Sequence, residues 1–142
     1  MAKILFGARD FVVNQNLVKR LQKEMHEVHY VTEGQDMMAG LTLPTHPFKP
    51  FKYDLVIYDS GLLYDRAKPI QRARAFNERV VGYLEIAKAP VIVLAEEPTA
   101  QLIQESAKKA GFRQINEPFS IDDILKEVKD VLGEKNNRGK RK

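Results

Sequence analysis

The chain has no cysteine. Disulfides and thiol chemistry are therefore excluded, and a reducing interior is permitted. No apolar run is long enough to span a bilayer, and the opening Met1-Ala2-Lys3-Ile4-Leu5-Phe6-Gly7 is too short for a signal peptide, with Asp10 close behind. The cytoplasm is the expected location. No phosphate loop is present: neither Gly-x-Gly-x-x-Gly nor Gly-x-x-x-x-Gly-Lys-Ser/Thr occurs. Gly7-Ala8-Arg9-Asp10 offers no hydroxyl for a flavin phosphate. Ser60 and Ser120 lack a neighbouring base, so no hydrolase triad assembles. His26 and His29 straddle a helix end and a strand start without a third ligand, and His46 lies among prolines, so no metal site is predicted.

What remains is an ordinary globular composition, 44% hydrophobic and 30% charged, in 142 residues, which is enough for one domain with a real core. The formal charge of +4 is unevenly placed. The last eight residues hold five basic groups and no acid; without them 18 basic residues face 19 acidic ones, a net of −1. The expected division is a domain over 1–133 and a basic tail over 134–142. The tail reads as a disordered, solubilising end. The alternative is contact with nucleic acid or acidic lipid through Lys135, Arg138, Lys140, Arg141 and Lys142.

Short apolar runs alternate with segments of helical period, the pattern of an α/β fold. Strands are predicted at Lys3 to Gly7, Val28 to Thr32, Asp54 to Tyr58, Val91 to Leu94 and Phe112 to Asn116. The first helix carries Val13, Leu17, Val18, Leu21 and Met25 on one stripe. A short helix is expected around Gln35 to Leu41, then a loop with Pro44, Pro47 and Pro50, whose spacing removes backbone donors too often for any regular element. Pro69 to Ile86 reads as a long helix with Ile70, Ala73, Phe76, Val80, Tyr83 and Leu84 inward. Arg72 and Arg79 share one of its faces, either as a docking surface or as a solvated face paired with Glu78 and Glu85. Pro98 opens the next helix and Gly111 closes it. Ser120 and Asp123 have the spacing of a capping box for a last helix with Ile121, Ile124, Leu125, Val128, Val131 and Leu132 inward, ended by Gly133.

Asp59 ends the apolar run Leu55-Val56-Ile57-Tyr58. A carboxylate at the tip of a buried strand is costly unless its charge is used. The first and fourth runs also pass into polar residues, at Gly7-Ala8-Arg9-Asp10 and Ala95-Glu96-Glu97. Together they predict a parallel sheet with a site at its carboxyl edge.

Four stretches carry a resemblance: Lys3-Ile4-Leu5-Phe6, Tyr53-Asp54-Leu55-Val56-Ile57-Tyr58-Asp59, Ala89-Pro90-Val91-Ile92-Val93-Leu94-Ala95-Glu96 and Glu117-Pro118-Phe119-Ser120. From about Lys3 to Leu132 the chain resembles a CheY-like receiver domain of two-component response regulators. The resemblance implies a flavodoxin-like α/β/α sandwich with a five-stranded parallel sheet in order 2-1-3-4-5. It implies a signalling module rather than an enzyme, with a sensor kinase or downstream effector as partner and pairing of two copies as an option. Asp59 falls at the phosphoacceptor position.

The rest of the receiver site departs from the family's pattern, as in a degenerate or pseudo-receiver. The acidic pair falls on Ala8 and Arg9, with Asp10 next door. The hydroxyl position is Ala95, the lysine position Glu117, and the aromatic switch position Gln114. No cofactor is expected, and Mg2+ only if Asp59 and Asp10 still bind it. The expected output is protein–protein interaction with phosphorylation impaired or absent. The alternative is a working phosphoacceptor at Asp59. A fixed ion-pair cluster of Arg9 with Asp59 and Glu117 would fill the space of metal and phosphate, because a guanidinium fork holds two carboxylates.

Overall fold

Burial on both faces marks the middle of the sheet. The strands β1 (Lys3–Gly7), β3 (Leu55–Asp59) and β4 (Val91–Ala95) are buried almost throughout, whereas β2 (Glu27–Val31) and β5 (Arg113–Asn116) are largely half-buried or exposed. The computed structural model describes residues 2–8, 11–32, 53–59, 78–85, 90–95, 100–116 and 120–140. All four strand pairings are parallel, and the order is β2-β1-β3-β4-β5. Continuous apolar runs in the three central strands fit a parallel sheet covered on both sides.

The covers are α1 (Phe11–Lys23), α2 (78–85), α3 (Ala100–Ala110) and α4 (Ile121–Lys140). Alternation along the strands divides the core in two. One layer joins Ile4, Phe6, Leu55, Ile57, Ile92 and Leu94 to Leu17 and Leu21 of α1 and to Ile124, Leu125, Val128 and Val131 of α4. The other joins Leu5, Val56, Tyr58, Val91 and Val93 to Val80 and Leu84 of α2 and Ala107 of α3. Outside the core, the α1–α4 side carries, among the described residues, the ion pairs Arg20–Asp122 at 3.8 Å, exposed, and Lys129–Glu24 at 3.6 Å, with Glu24 half-buried. Arg113 reaches from β5 to Glu127 at 2.9 Å, with both side chains about one-third exposed (34% and 31%).

Helix ends account for most differences from the sequence reading. Met25, expected on the inner stripe of α1, is 71% exposed with φ at 72°. The helix has already closed: Met25 N–H donates to Gln22 O at 3.0 Å and His26 N–H to Leu21 O at 3.1 Å, the Schellman pattern, with Met25 in the left-handed position. α3 ends the same way on the expected residue: Gly111 N–H bonds Lys108 O at 3.2 Å, Phe112 N–H bonds Ala107 O at 2.8 Å, and φ of Gly111 is 77°. Tyr83, also expected inward, is 40% exposed, while Val81 is buried.

The capping box of α4 forms. Asp123 N–H donates to Ser120 Oγ at 3.1 Å and Ser120 N–H to Asp123 Oδ2 at 3.3 Å. Gly133 does not end this helix, which runs on to Lys140. A helical glycine costs only about 1 kcal/mol relative to alanine, and basic residues near a helix C-terminus favour its dipole. The helix therefore passes Gly133, and the backbone over 134–140 continues it. The expected helix at 35–41, the proline loop and the start of the helix at Pro69 lie outside the described residues.

Candidate site at the carboxyl edge

Five residues of β3 fit the core because four are apolar; the fifth is Asp59, 2% exposed. The sequence run predicted Asp59 just past the strand, and the structure makes it the last residue of β3, level with Leu94 of β4. Gly7 of β1 pairs with Tyr58, so Ala8 comes level with Asp59 on the other side. Ala8 is fully buried; its N–H donates to Val31 O at 3.0 Å, and the Tyr30 hydroxyl donates to Ala8 O at 3.0 Å. Ala95 closes β4 and is 1% exposed. The carboxylate therefore has a strand on either side, with a buried methyl group just after β1 at Ala8 and at the end of β4 at Ala95.

Asp59 is not without a partner in this position. Its neighbour Tyr58 points into the opposite core layer, fully buried, and the hydroxyl has no hydrogen-bond partner. Burial pushes the Tyr58 phenol well above its usual range, and the negative charge of Asp59 adds to the effect. The phenol stays neutral.

Gln114 lies in β5 opposite Val93, half-buried, and its amide donates to Asn116 Oδ1 at 2.7 Å. Arg9, Asp10 and Glu117 lie outside the described residues, and so does the cluster expected of Arg9 and Glu117 with Asp59. Arg141 and Lys142 lie outside them too, while Lys135, Arg138 and Lys140 fall in α4. No group of three or more His, Asp or Glu suited to a metal ion occurs among the described residues, and no described helix is long and apolar enough to cross a membrane.

Sequence reasoning missed a polar cluster at the opposite end of the sheet. Lys3 N–H donates to Asp54 Oδ2 at 2.9 Å, Ala2 N–H to His26 Nδ1 at 3.3 Å, and Tyr53 Oη shares a hydrogen bond with His29 Nδ1. His29 and Tyr53 stand 24 residues apart in sequence. The strand order 2-1-3 is the signal that brings them to one face, across β1.

No family model matches the sequence, and no curated protein matches it either. Solved structures do. A response regulator receiver domain from Methanospirillum hungatei superposes with a TM-score of 0.70 at 16% identity, over 97% of this chain and 98% of the other. The chemotaxis protein CheY4 of Vibrio cholerae gives 0.61 at 20% identity, over 92% of this chain and 98% of its own. A streptococcal protein from a family of redox sensors evolved from two-component response regulators gives 0.72 at 18% identity; it is matched over 100% of this chain but 56% of its own length. With its 2-1-3-4-5 parallel sheet and helices on both faces, the chain has the CheY-like fold of response regulator receiver domains.

Proposed function

We propose that the chain is a receiver-fold signalling module that acts by binding a partner protein, with phosphoryl transfer to Asp59 impaired or absent. The partner class is a sensor kinase or a downstream effector. One observation carries this reading: beside Asp59, the residue that follows β1 and the residue that ends β4 are the buried alanines Ala8 and Ala95.

Transfer of a phosphoryl group to a carboxylate needs a divalent cation held by acidic oxygens, with hydroxyl and cationic donors on the phosphoryl oxygens. By the receiver resemblance, Ala8 and Arg9 take the places of the acidic pair, Ala95 that of the hydroxyl and Glu117 that of the lysine. A methyl group supplies neither a ligand nor a donor. Removing a single preorganised donor from a developing negative charge costs about 10²–10³ in rate, so several losses leave little catalysis. At the lysine position that the resemblance gives it, Glu117 would add a negative charge, which disfavours another anion. A thiol-based form of the redox sensing described for the streptococcal proteins has no residue to use here, because cysteine is absent.

The test is incubation of the full chain with acetyl phosphate and Mg2+, read by intact mass. The expected result is no added phosphoryl group. A stoichiometric adduct that disappears in Asp59→Asn would overturn this reading and establish the phosphoacceptor alternative.

A further inference from the structure

The amino end of the sheet carries a cavity of about 330 Å3 lined, among the described residues, by Lys3, Glu27, Val28, His29 and Tyr53. That volume is at the small end of ligand pockets. Register explains how these residues meet. Lys3 pairs with Glu27 and Leu5 with His29, so Lys3, Glu27 and His29 share the sheet face of Leu5. Tyr53, 7% exposed, belongs to the same core layer as Leu5 and forms the apolar floor.

Two features set this cavity apart from an ordinary solvated edge. First, Lys3 and Glu27 stand directly opposite on neighbouring strands, yet neither side chain makes an ion pair with the other or with any other described residue. Opposite charges so placed commonly pair. Here a positive and a negative group border one cavity unpaired. Second, the His29 ring is held. Tyr53 Oη occupies Nδ1 and the two rings stack at a tilt, with centroids 6.0 Å apart, so Nε2 is the nitrogen left for a ligand. A ring nitrogen fixed by a hydrogen bond on its far side is a preorganised contact.

We propose that this cavity is a binding site for a small zwitterion of the free α-amino acid class. Lys3 and His29 Nε2 would meet the carboxylate, Glu27 the ammonium, and Tyr53 the side chain. A simple anion would meet repulsion from Glu27 and a metal cation repulsion from Lys3. A ligand with both charges satisfies both groups. The site lies at the end of the sheet opposite Asp59 and does not depend on whether Asp59 accepts phosphate.

The test is an NMR titration of the isotopically labelled full chain with a panel of free L-amino acids, then with acetate and methylamine as half-ligands. At least one amino acid is expected to give saturable amide shifts centred on Lys3, Glu27 to His29 and Tyr53. Each half-ligand should bind at least about tenfold more weakly. Lys3→Gln and Glu27→Gln, both at exposed positions, should each weaken the amino acid about tenfold or more with an unchanged circular dichroism spectrum. The proposal is overturned if no amino acid shifts these amides at millimolar concentration. It is equally overturned if acetate or Zn2+ binds there as well as any amino acid, or if both variants bind like the native chain.

Discussion

The two ends of the sheet are built on opposite plans. At the carboxyl end the Asp59 carboxylate is buried at the last position of β3, level with Leu94 of β4 and with Ala8, which follows β1. At the amino end Lys3, Glu27 and His29 are exposed on the half of the sheet where a covering helix would demand apolar residues, and they surround a cavity. The first end holds Asp59 where the receiver resemblance puts the phosphoacceptor. The second has donors and charges without a packing reason for them. The binding proposed at the amino end therefore rests on polar side chains grouped about a cavity, and the function proposed for the carboxyl end on what stands beside one buried carboxylate.

The sharpest break between the ends is energetic. Phe6 is fully buried beneath the carboxyl end and meets the Tyr30 ring edge-on at a centroid distance of 5.1 Å. Phe6→Ala should destabilise the chain by about 3–5 kcal/mol in urea unfolding. Glu27→Ala, at the exposed amino end, should stay within about 0.5 kcal/mol. A similar cost for the two would erase the distinction.

Next in size is Tyr58. Its hydroxyl is buried and makes no hydrogen bond, so folding removes it from water without return. Tyr58→Phe should stabilise the chain by about 1 kcal/mol. A loss of stability instead would mean that the hydroxyl is hydrogen-bonded in solution.

The turns at the amino end give a paired test of comparable size. Met25 and Gly111 occupy the same left-handed position in two Schellman caps, with φ of 72° and 77°. A side chain there costs about 1 kcal/mol, and glycine avoids it. Met25→Gly should therefore stabilise and Gly111→Ala destabilise, each by about 1 kcal/mol. No atom lies within 4 Å of a Cβ added at Gly111, so the effect there is conformational and not a clash. Equal signs for the two would refute the shared geometry.

How much of this was legible in the sequence follows from the range of the interactions. The central strands β1, β3 and β4 showed themselves as short apolar runs, and the cap at Ser120 and Asp123 as a spacing of three, because both are local. Met25 and Tyr83 were misplaced because periodicity does not report where a helix stops or how its stripe is rotated. Gly133 misled because one glycine is too weak a breaker to end a helix. Ala8 and Ala95 had meaning only through the receiver resemblance, since an alanine carries no signal of what it has replaced. The cavity of Lys3, Glu27, His29 and Tyr53 could not be seen, because its parts come from three segments that meet only once the strand order is known.

The smallest expected effect is a pH dependence at the amino end. His26 Nδ1 accepts the Ala2 N–H, tying the start of the chain to the cap of α1. Partial burial lowers the pKa of His26 below 6.5; the charge of Glu24 opposes the shift and the chain's amino terminus assists it. The unfolded chain then binds more protons than the folded one at pH values just below about 6.5, so stability rises with pH there. The contribution is complete above about 6.5 and is lost as pH falls towards the lowered folded value. Protonation also removes the acceptor that Ala2 uses. The urea midpoint should therefore fall between about pH 7.5 and pH 5.5, and His26→Gln should reduce that fall, separating this residue from the chain's two other histidines. An unchanged slope in the variant would show that His26 does not couple the first strand to protons, since the backbone bonds Glu27 N–H to Ala2 O at 2.8 Å and Asp54 N–H to Lys3 O at 2.7 Å do not titrate.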